Sequence, residues 1–432
     1  MTKRVKIFVV SLSSFVLGIL LLGAVLGKSS AADGDAYRHF AVFTDVISRI
    51  KSDYVEEPDM KNVTLGALNG MLESIDPYAS YLNADQYKQY VKTKENKKAH
   101  IGLVLSRRFG YVSVVGAIPG SPAAVLGLST GDVLETINGV GTRDMPLAFA
   151  EMLLYGDPGT NVDLAVLRVR RGTDAQKMTL SRAVVADPPV TAKMSGDGIG
   201  VIEVRSMQPG TARDVSAKIA DVQKQGAKKL VLDLRDNVLG DPAEGIALAN
   251  LFMEKGQIGY LMGQKVARKD FTAEPAKAVW KQPLVVITNR GTAGGAEVAA
   301  AALLDSKRAE AVGERTYGDA AERKALTMDD GGAVILSTAK YYGPSGKAIQ
   351  DNAVTPSVPV SDGQAEPETD EEGAAPQAEP AKKPAEDQPL KKAIEVLTVG
   401  VAAAKQSTAA GETAQGGTAP AIGPLGVPRP KQ

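Results

Sequence analysis

The sequence predicts a multidomain α+β chain built around an α/β core. Three observations carry that prediction. A long apolar run, Ile7–Leu26, stands near the start of the chain. Short strand-like pieces punctuated by Gly, Pro and Asn fill Ile101–Arg182, the pattern of a small β-rich domain. From Gly198 onward apolar strands alternate with helical spacing, which implies a partly parallel sheet covered by helices.

Composition narrows the chemistry. With 432 residues, two or three domains are expected. Lys plus Arg and Asp plus Glu each number 50, so no net charge points to a nucleic-acid partner. There is no Cys, which excludes disulfides, thiolate catalysis and cysteine metal sites. The two histidines, His39 and His100, lie far in sequence from the stretch singled out below, which argues against a histidine-based triad.

In chain order, residues 1–32 read as a signal anchor. Lys3, Arg4 and Lys6 precede a charge-free run long enough to span a bilayer, with the basic end cytoplasmic. Ser29–Ala32 offers small residues for cleavage, but the apolar run is longer than a usual signal-peptide core, so an uncleaved anchor is expected. The remainder is then placed in the periplasm or another extracytoplasmic space. Residues 33–98 read as a helical segment, with Phe40, Phe43, Val46 and Ile47, then Leu65, Leu68, Met71 and Leu72, at helical spacing. Asp76-Pro77 interrupts that pattern, Asp85–Val91 resumes it, and Lys92–Lys98 reads as a solvated linker.

Residues 99–185 form the β-rich block. Strands are expected at Ile101–Leu105, Tyr111–Ala117, Val162–Arg168 and Lys177–Ser181, with a helix over Pro146–Leu154 and a hairpin turn at Asn138-Gly139. Residues 186–360 form the α/β core: strand Gly198–Val204, helix Thr211–Gln225, strand Lys229–Leu234 and helix Pro242–Glu254. Residues 361–389 are rich in Glu, Pro and Ala and lack aromatics, the composition of a disordered linker. Helical spacing returns over 390–405, and 406–432 is a Gly/Ala/Pro tail without the means to form a core.

The most distinctive stretch is Leu284–Ala325. A buried strand, Leu284–Thr288, runs into a small-residue turn, Asn289–Gly295, and then an Ala-rich helix, Ala296–Asp305. A second strand, Ala309–Gly313, leads into the loop Glu314–Gly318. Such a strand–turn–helix commonly presents a reactive group or binds an anion at the helix N-terminus. Here the turn holds no Ser, Cys or His, and Thr292 is its only hydroxyl. Thr292 as a relocated nucleophile would need a base that the sequence does not supply. Nothing in the spacing of Asp233 and Asp305 brings them together as a carboxylate pair. A hairpin is expected over Met328–Ala339 about Asp330-Gly331-Gly332.

Two resemblances follow. The string Ser121-Pro122-Ala123-Ala124, Gly127-Leu128, Gly131-Asp132-Val133-Leu134 and Ile137-Asn138-Gly139 resembles a PDZ domain of the bacterial protease type. That resemblance implies a β-sandwich-like domain inserted before the core. It also implies that a peptide's terminal carboxylate sits on backbone amides of Ile101, Gly102 and Leu103, while its strand pairs with a sheet edge. The whole order of segments resembles the C-terminal processing, or tail-specific, serine peptidases. Matching strings are Ser74–Leu82, Lys229–Arg235, Val312–Gly318 and Ala339–Ile349. That family cleaves near unstructured C-termini with a Ser nucleophile and a Lys base.

Carried over by position, the nucleophile is Gly294, the base is Asp319, and a third position, Gln in the family, is Arg323. The Asn-Pro-Gly-Gly oxyanion turn reads Asn237-Val238-Leu239-Gly240, leaving Gly240 and Gly295 as remnants of the oxyanion site. Glycine offers no attacking side chain, and Asp319 has no hydroxyl to activate. Asp319 is otherwise expected as a solvated loop charge, or in a weak surface pair with Arg323. The expectation is a catalytically silent protein that binds unstructured C-terminal protein tails and scaffolds or regulates an active relative. The alternative is an active serine-type peptidase with a displaced nucleophile. No metal or other cofactor is implied, and oligomerisation is left open.

Overall fold

A computed structural model describes residues 31–95, 99–108, 110–143, 145–168, 174–196, 198–350, 352–361 and 386–404. The apolar run expected as an anchor, nearly all of the expected linker and the C-terminal tail lie outside these residues. Among the described residues no helix is long and apolar enough to cross a membrane.

The chain falls into two units that divide at Ala67 and Leu68. In the first, α1 (Ala31–Asp53) follows the predicted apolar spacing, with Phe43, Ile47 and Ile50 half-buried and Phe40, Val42 and Val46 exposed. Helix α2 (Met60–Glu73) begins where the Asp59 carboxylate accepts from the amides of Lys61 and Asn62, at 3.0 and 3.2 Å. Those amides have no partner within the helix, so an aspartate here is favoured.

Among its described residues the second unit contains three larger sheets and a two-stranded one. Residues 33–98 were expected to be helical, but Ser80–Leu82 is a buried strand, β1. Asp76-Pro77 ends the helical run. The Asp76 carboxylate accepts from the amides of Tyr78 and Ser337, at 3.0 and 2.8 Å, and this aims the chain along a distant strand. Helix α3 (Ala84–Glu95) continues through Lys92–Glu95, which were expected to be linker.

The β-rich block opens with β2 (Ala99–His100), β3 (Leu103–Arg108) and β4 (Tyr111–Ala117). A short helix α4 (Pro122–Val125) follows, and Ser121 caps it by accepting from the Ala124 amide at 3.2 Å. Then come β5 (Val133–Ile137), β6 (Val140–Gly141), α5 (Leu147–Leu154), β7 (Tyr155–Gly156), β8 (Asn161–Leu167) and β9 (Gln176–Ser181). The turn between β5 and β6 has φ of 52° at Asn138 and 76° at Gly139, the left-handed pair that a two-residue hairpin needs. The antiparallel order is β3-β4-β5-β8-β9, with β6 on β5, so β3 is an edge of this sheet.

The core comprises β10 (Thr191–Met194), β11 (Ile199–Glu203), α6 (Thr211–Lys224), β12 (Lys229–Asp233), α7 (Pro242–Asn250), β13 (Gln257–Met262), β14 (Lys269–Thr272), β15 (Leu284–Thr288), α8 (Gly295–Asp305), β16 (Glu310–Gly313), β17 (Ala321–Thr327), β18 (Ala333–Tyr342), β19 (Val358–Pro359) and α9 (Gln388–Val399). The sheet β10-β11-β12-β15-β16-β19 is parallel apart from its edge strand β10. Helices α6, α7 and α8 bury one face of it around Ile202, Leu232 and Val286, and α9 covers the other around Val231, Val285 and Ile287. Helix α7 stops at Asn250, four residues short of the predicted Glu254. A third sheet joins β1, β18, β13 and β14, with β17 on β18.

One ionic cluster ties α9 to the carboxyl end of β12. Arg235 donates to both Asp387 oxygens, at 3.0 and 2.8 Å, and through Nη2 to Asp233 at 2.7 Å. Arg205 also grips Asp233, at 2.9 and 3.0 Å. Burial alone would raise the Asp233 carboxyl, but the two guanidiniums bring it down to about 2. Asp387 also caps α9 by accepting from the Leu390 amide at 3.0 Å. We therefore expect Asp387→Ala to lose both a cap and a forked ion pair, lowering stability by about 1–2 kcal/mol. Limited proteolysis should cut near α9 sooner in this variant than in the wild type; unchanged proteolysis and melting would contradict the docking role.

Candidate functional site: a glycine-tipped elbow

The elbow is built by backbone necessity. Strand β15 delivers Asn289, whose side-chain oxygen accepts from the amides of Asp236 and Gly291 at 3.0 Å each. Its amide nitrogen donates to the Asp236 carboxylate at 2.8 Å. The Ala293 amide donates to the Asn237 carbonyl at 2.9 Å. These bonds clamp the Asn289–Gly295 turn against the turn that follows β12. Thr292 is fully buried; its hydroxyl donates to the Leu234 carbonyl at 2.9 Å and accepts from the Asn289 amide at 3.0 Å. The turn's only hydroxyl is thus committed to holding the turn.

Gly294 stands at the apex, with φ of 61° and ψ of −123°. A non-glycine residue would be strained there, as nucleophiles on strand-to-helix elbows are. There is room for a side chain: a Cβ at Gly294 would lie 3.5 Å from the Gly240 carbonyl and 3.7 Å from that of Asp319. Gly295 has no such room, since its Cβ would meet the Asp241 carbonyl at 2.6 Å. Gly240, at φ 148°, likewise has no room, since a Cβ there would collide with Met207. Gly240 and Gly295, the expected oxyanion remnants, therefore flank the apex, and the expected nucleophile position is a glycine.

Sequence reasoning passed over Glu297, which organises the site. It lies on the first turn of α8, fully buried. One oxygen accepts from the Thr316 hydroxyl and the Gly318 amide, the latter at 2.7 Å. The other accepts from the Asp319 amide at 2.7 Å and the Gly294 amide at 3.2 Å. One carboxylate thus joins Gly294 and Asp319, the expected nucleophile and base positions, to the helix N-terminus. Burial pushes this carboxyl up to about 7, against the Thr316 hydroxyl and the two loop amides, which favour the anion. The signal was present in the sequence as Gly294-x-x-Glu297, the spacing of a capping residue and its third-position glutamate.

Asp319 and Arg323 form the expected ion pair, but not at the surface. Their side chains are 16% and 26% exposed, and the Arg323 guanidinium lies 3.8 Å from the centre of the Tyr78 ring. The correction has a physical source: Tyr78, from the segment before β1, roofs the loop. Burial pushes the Tyr78 phenol well up, and the neighbouring Asp319 adds to it. The loop is held from the other side by Tyr317, whose hydroxyl bonds that of Ser106 on β3. Ala293 joins the apolar core of the β-rich domain, with Tyr317 packed against it. That domain is therefore seated on the elbow and its neighbouring loop.

Of the other candidates, Asp233 is held between two arginines, and Asp305 accepts from the Ser345 amide at 3.1 Å. Among the described residues no group of His, Asp or Glu is arranged to hold a metal. At the predicted peptide seat, Gly102 has φ of 83°, and a Cβ there would collide with Ser121. The Ile101 and Gly102 carbonyls accept from the amides of Ala123 and Ile118, at 2.9 and 2.8 Å.

Comparison with known proteins agrees with this architecture. Residues 198–360 match the profile of peptidase family S41, and residues 113–168 match that of the PDZ domain. Carboxy-terminal processing protease CtpA of Bacillus subtilis is 32% identical over 369 residues, covering 83% of this chain and 78% of the relative. The carboxy-terminal-processing protease of Bartonella bacilliformis is 30% identical over 358 residues, covering 80% and 81%. Among solved structures, the photosystem II D1 C-terminal processing protease shares the fold, with a TM-score of 0.61 at 24% identity over 74% of this chain and 92% of that one. A PDZ domain seated on an α/β elbow defines the class, and the chain belongs to the carboxy-terminal processing protease family within peptidase family S41.

The raised Glu297 carboxyl sets a pH dependence. An unfolded glutamate ionises near 4.5 and the folded one near 7, so between these values the unfolded state holds fewer protons and stability falls as pH rises. At 1.36 kcal/mol per pH unit, the loss approaches ~3 kcal/mol. Denaturation of wild type and Glu297→Gln between about pH 5 and 8 should show this extra slope in the wild type alone. Equal slopes would remove Glu297 as its source.

Proposed function

We propose that this chain is a catalytically silent member of its family, anchored to the membrane by its N-terminal apolar run and facing an extracytoplasmic space. It captures unstructured C-terminal protein tails through its PDZ groove, and scaffolds or regulates an active relative. One observation carries the proposal: the elbow apex is a glycine, while the bonds that position it remain. Nothing at the apex can attack a carbonyl, and Asp319 is paired with Arg323 rather than poised as a base. A fold that keeps its scaffold without its reactive atom is suited to binding.

The groove supports a short ligand. A tail adding to the edge of β3 pairs with alternate residues. The Arg107 amide already donates to the Pro77 carbonyl at 3.1 Å, so the edge is closed at that point. Pairing is left to Leu103 and Leu105, which face the same way as Arg107 by alternation. Only about the last three residues of a tail therefore engage the strand.

Two measurements test this. Purified protein lacking the anchor should leave a reduced, alkylated substrate protein uncleaved. Gly294→Ser with Asp319→Lys, and the same pair with Arg323→Gln, should raise cleavage at least about tenfold above background. Cleavage by the wild type that disappears in Thr292→Ala would overturn the silent reading. In a fluorescence binding assay, lengthening a peptide beyond about four residues should add little affinity; a steady gain up to eight would contradict the closed edge.

A further inference from the structure

The loop that seats a tail's carboxylate contains a side chain with no assigned role. Strand β2 pairs with β7, and the His100 amide and carbonyl also pair with Ala183, at 3.0 and 3.1 Å. The histidine backbone is thereby fixed on both sides, and only its ring can move. The ring packs on Tyr155, with centroids 5.2 Å apart. Its Nδ1 accepts a hydrogen bond from the Gly102 amide at 3.0 Å.

That last bond is the informative one. Gly102 is the centre of the carboxylate seat, its carbonyl is taken by Ile118, and its φ of 83° is held by the close approach of Ser121. The loop cannot turn this amide elsewhere. An Nδ1 that accepts is an unprotonated nitrogen, so the ring in this arrangement is neutral. A peptide carboxylate that takes the Gly102 amide must displace the imidazole. Protonation of the ring removes the acceptor and leaves a cation beside the seat.

We propose that His100 reads the terminal carboxylate: neutral, it occupies the Gly102 amide; protonated, it releases that amide and supplies a charged donor to the carboxylate. The ligand class is a free C-terminal carboxylate, and binding takes up a proton in the range where the free ring is neutral. Against the ring stands Tyr155 on β7, whose phenol is in turn influenced by Glu151 on α5, and Arg182 precedes Ala183 in the chain. Burial raises the Tyr155 phenol and lowers the Arg182 guanidinium, so at mildly acid and neutral pH one stays neutral and the other charged. Neither changes state in the range where His100 does.

This inference rests on the tail-binding proposal, and its test separates the two. A fluorescein-labelled peptide ending in Ala-Ala-Val with a free carboxylate, and its C-terminal amide twin, are titrated into the anchor-free protein. The free acid should bind about tenfold more tightly near pH 5.5 than near pH 8, and the amide should show no such gain. His100→Ala, checked for folding by its melting curve, should bind the acid with little pH dependence. His100→Gln, which keeps an acceptor but cannot become a cation, should bind weakly throughout. A pH gain that persists in both variants, or a wild type that binds the acid equally at both pH values, overturns the role of His100 while leaving tail binding intact. Absence of binding to either peptide at any pH in every variant overturns both.

Discussion

The site depends on one buried carboxylate. Glu297 accepts from four donors drawn from the elbow apex, Thr316, Gly318 and Asp319, and it does so at the first turn of α8. Such a group is costly to bury unless fully hydrogen-bonded, and here it is. Its bonds fix the distance between the nucleophile and base positions whatever residues occupy them. The elbow and the loop before β17 are therefore held together by backbone amides and one buried carboxylate, independent of the side chains at Gly294 and Asp319.

A contact network surrounds Asp319. Asp319 pairs with Arg323, Arg323 lies over Tyr78, and Tyr317 reaches Ser106 on the PDZ edge strand. A Cβ on Gly116 of β4 would collide with the Val238 side chain, in the turn where the oxyanion site is expected, so the β4 backbone packs closely on that turn. The β-rich domain and the elbow are thus joined through packed and charged groups.

Much of this was legible in the residues, and the failures share a cause. Strand β15, its turn and helix α8 are local, set by an apolar run, small residues and an Ala-rich stretch, and they fall where the periodicity put them. The Asn138-Gly139 hairpin is equally local. Strand β1 was missed because it exists only by pairing with β18, and its Ser80–Leu82 has no alternation long enough to announce itself. The burial of Asp319 and Arg323 depends on Tyr78, contributed from far away in sequence. His100 was set aside for its distance from the elbow, yet it bonds the Gly102 amide in the loop where the tail seat is expected. Glu297 alone had a local sign, a capping spacing behind a glycine.

The central claim is that the elbow presents no attacking oxygen. Intact-protein mass spectrometry after incubation with a fluorophosphonate probe reads that directly. The account predicts an unmodified wild type beside a Gly294→Ser, Asp319→Lys variant that gains one adduct. A stoichiometric adduct on the wild type, mapped to Thr292 or to another hydroxyl lining the elbow, would contradict it.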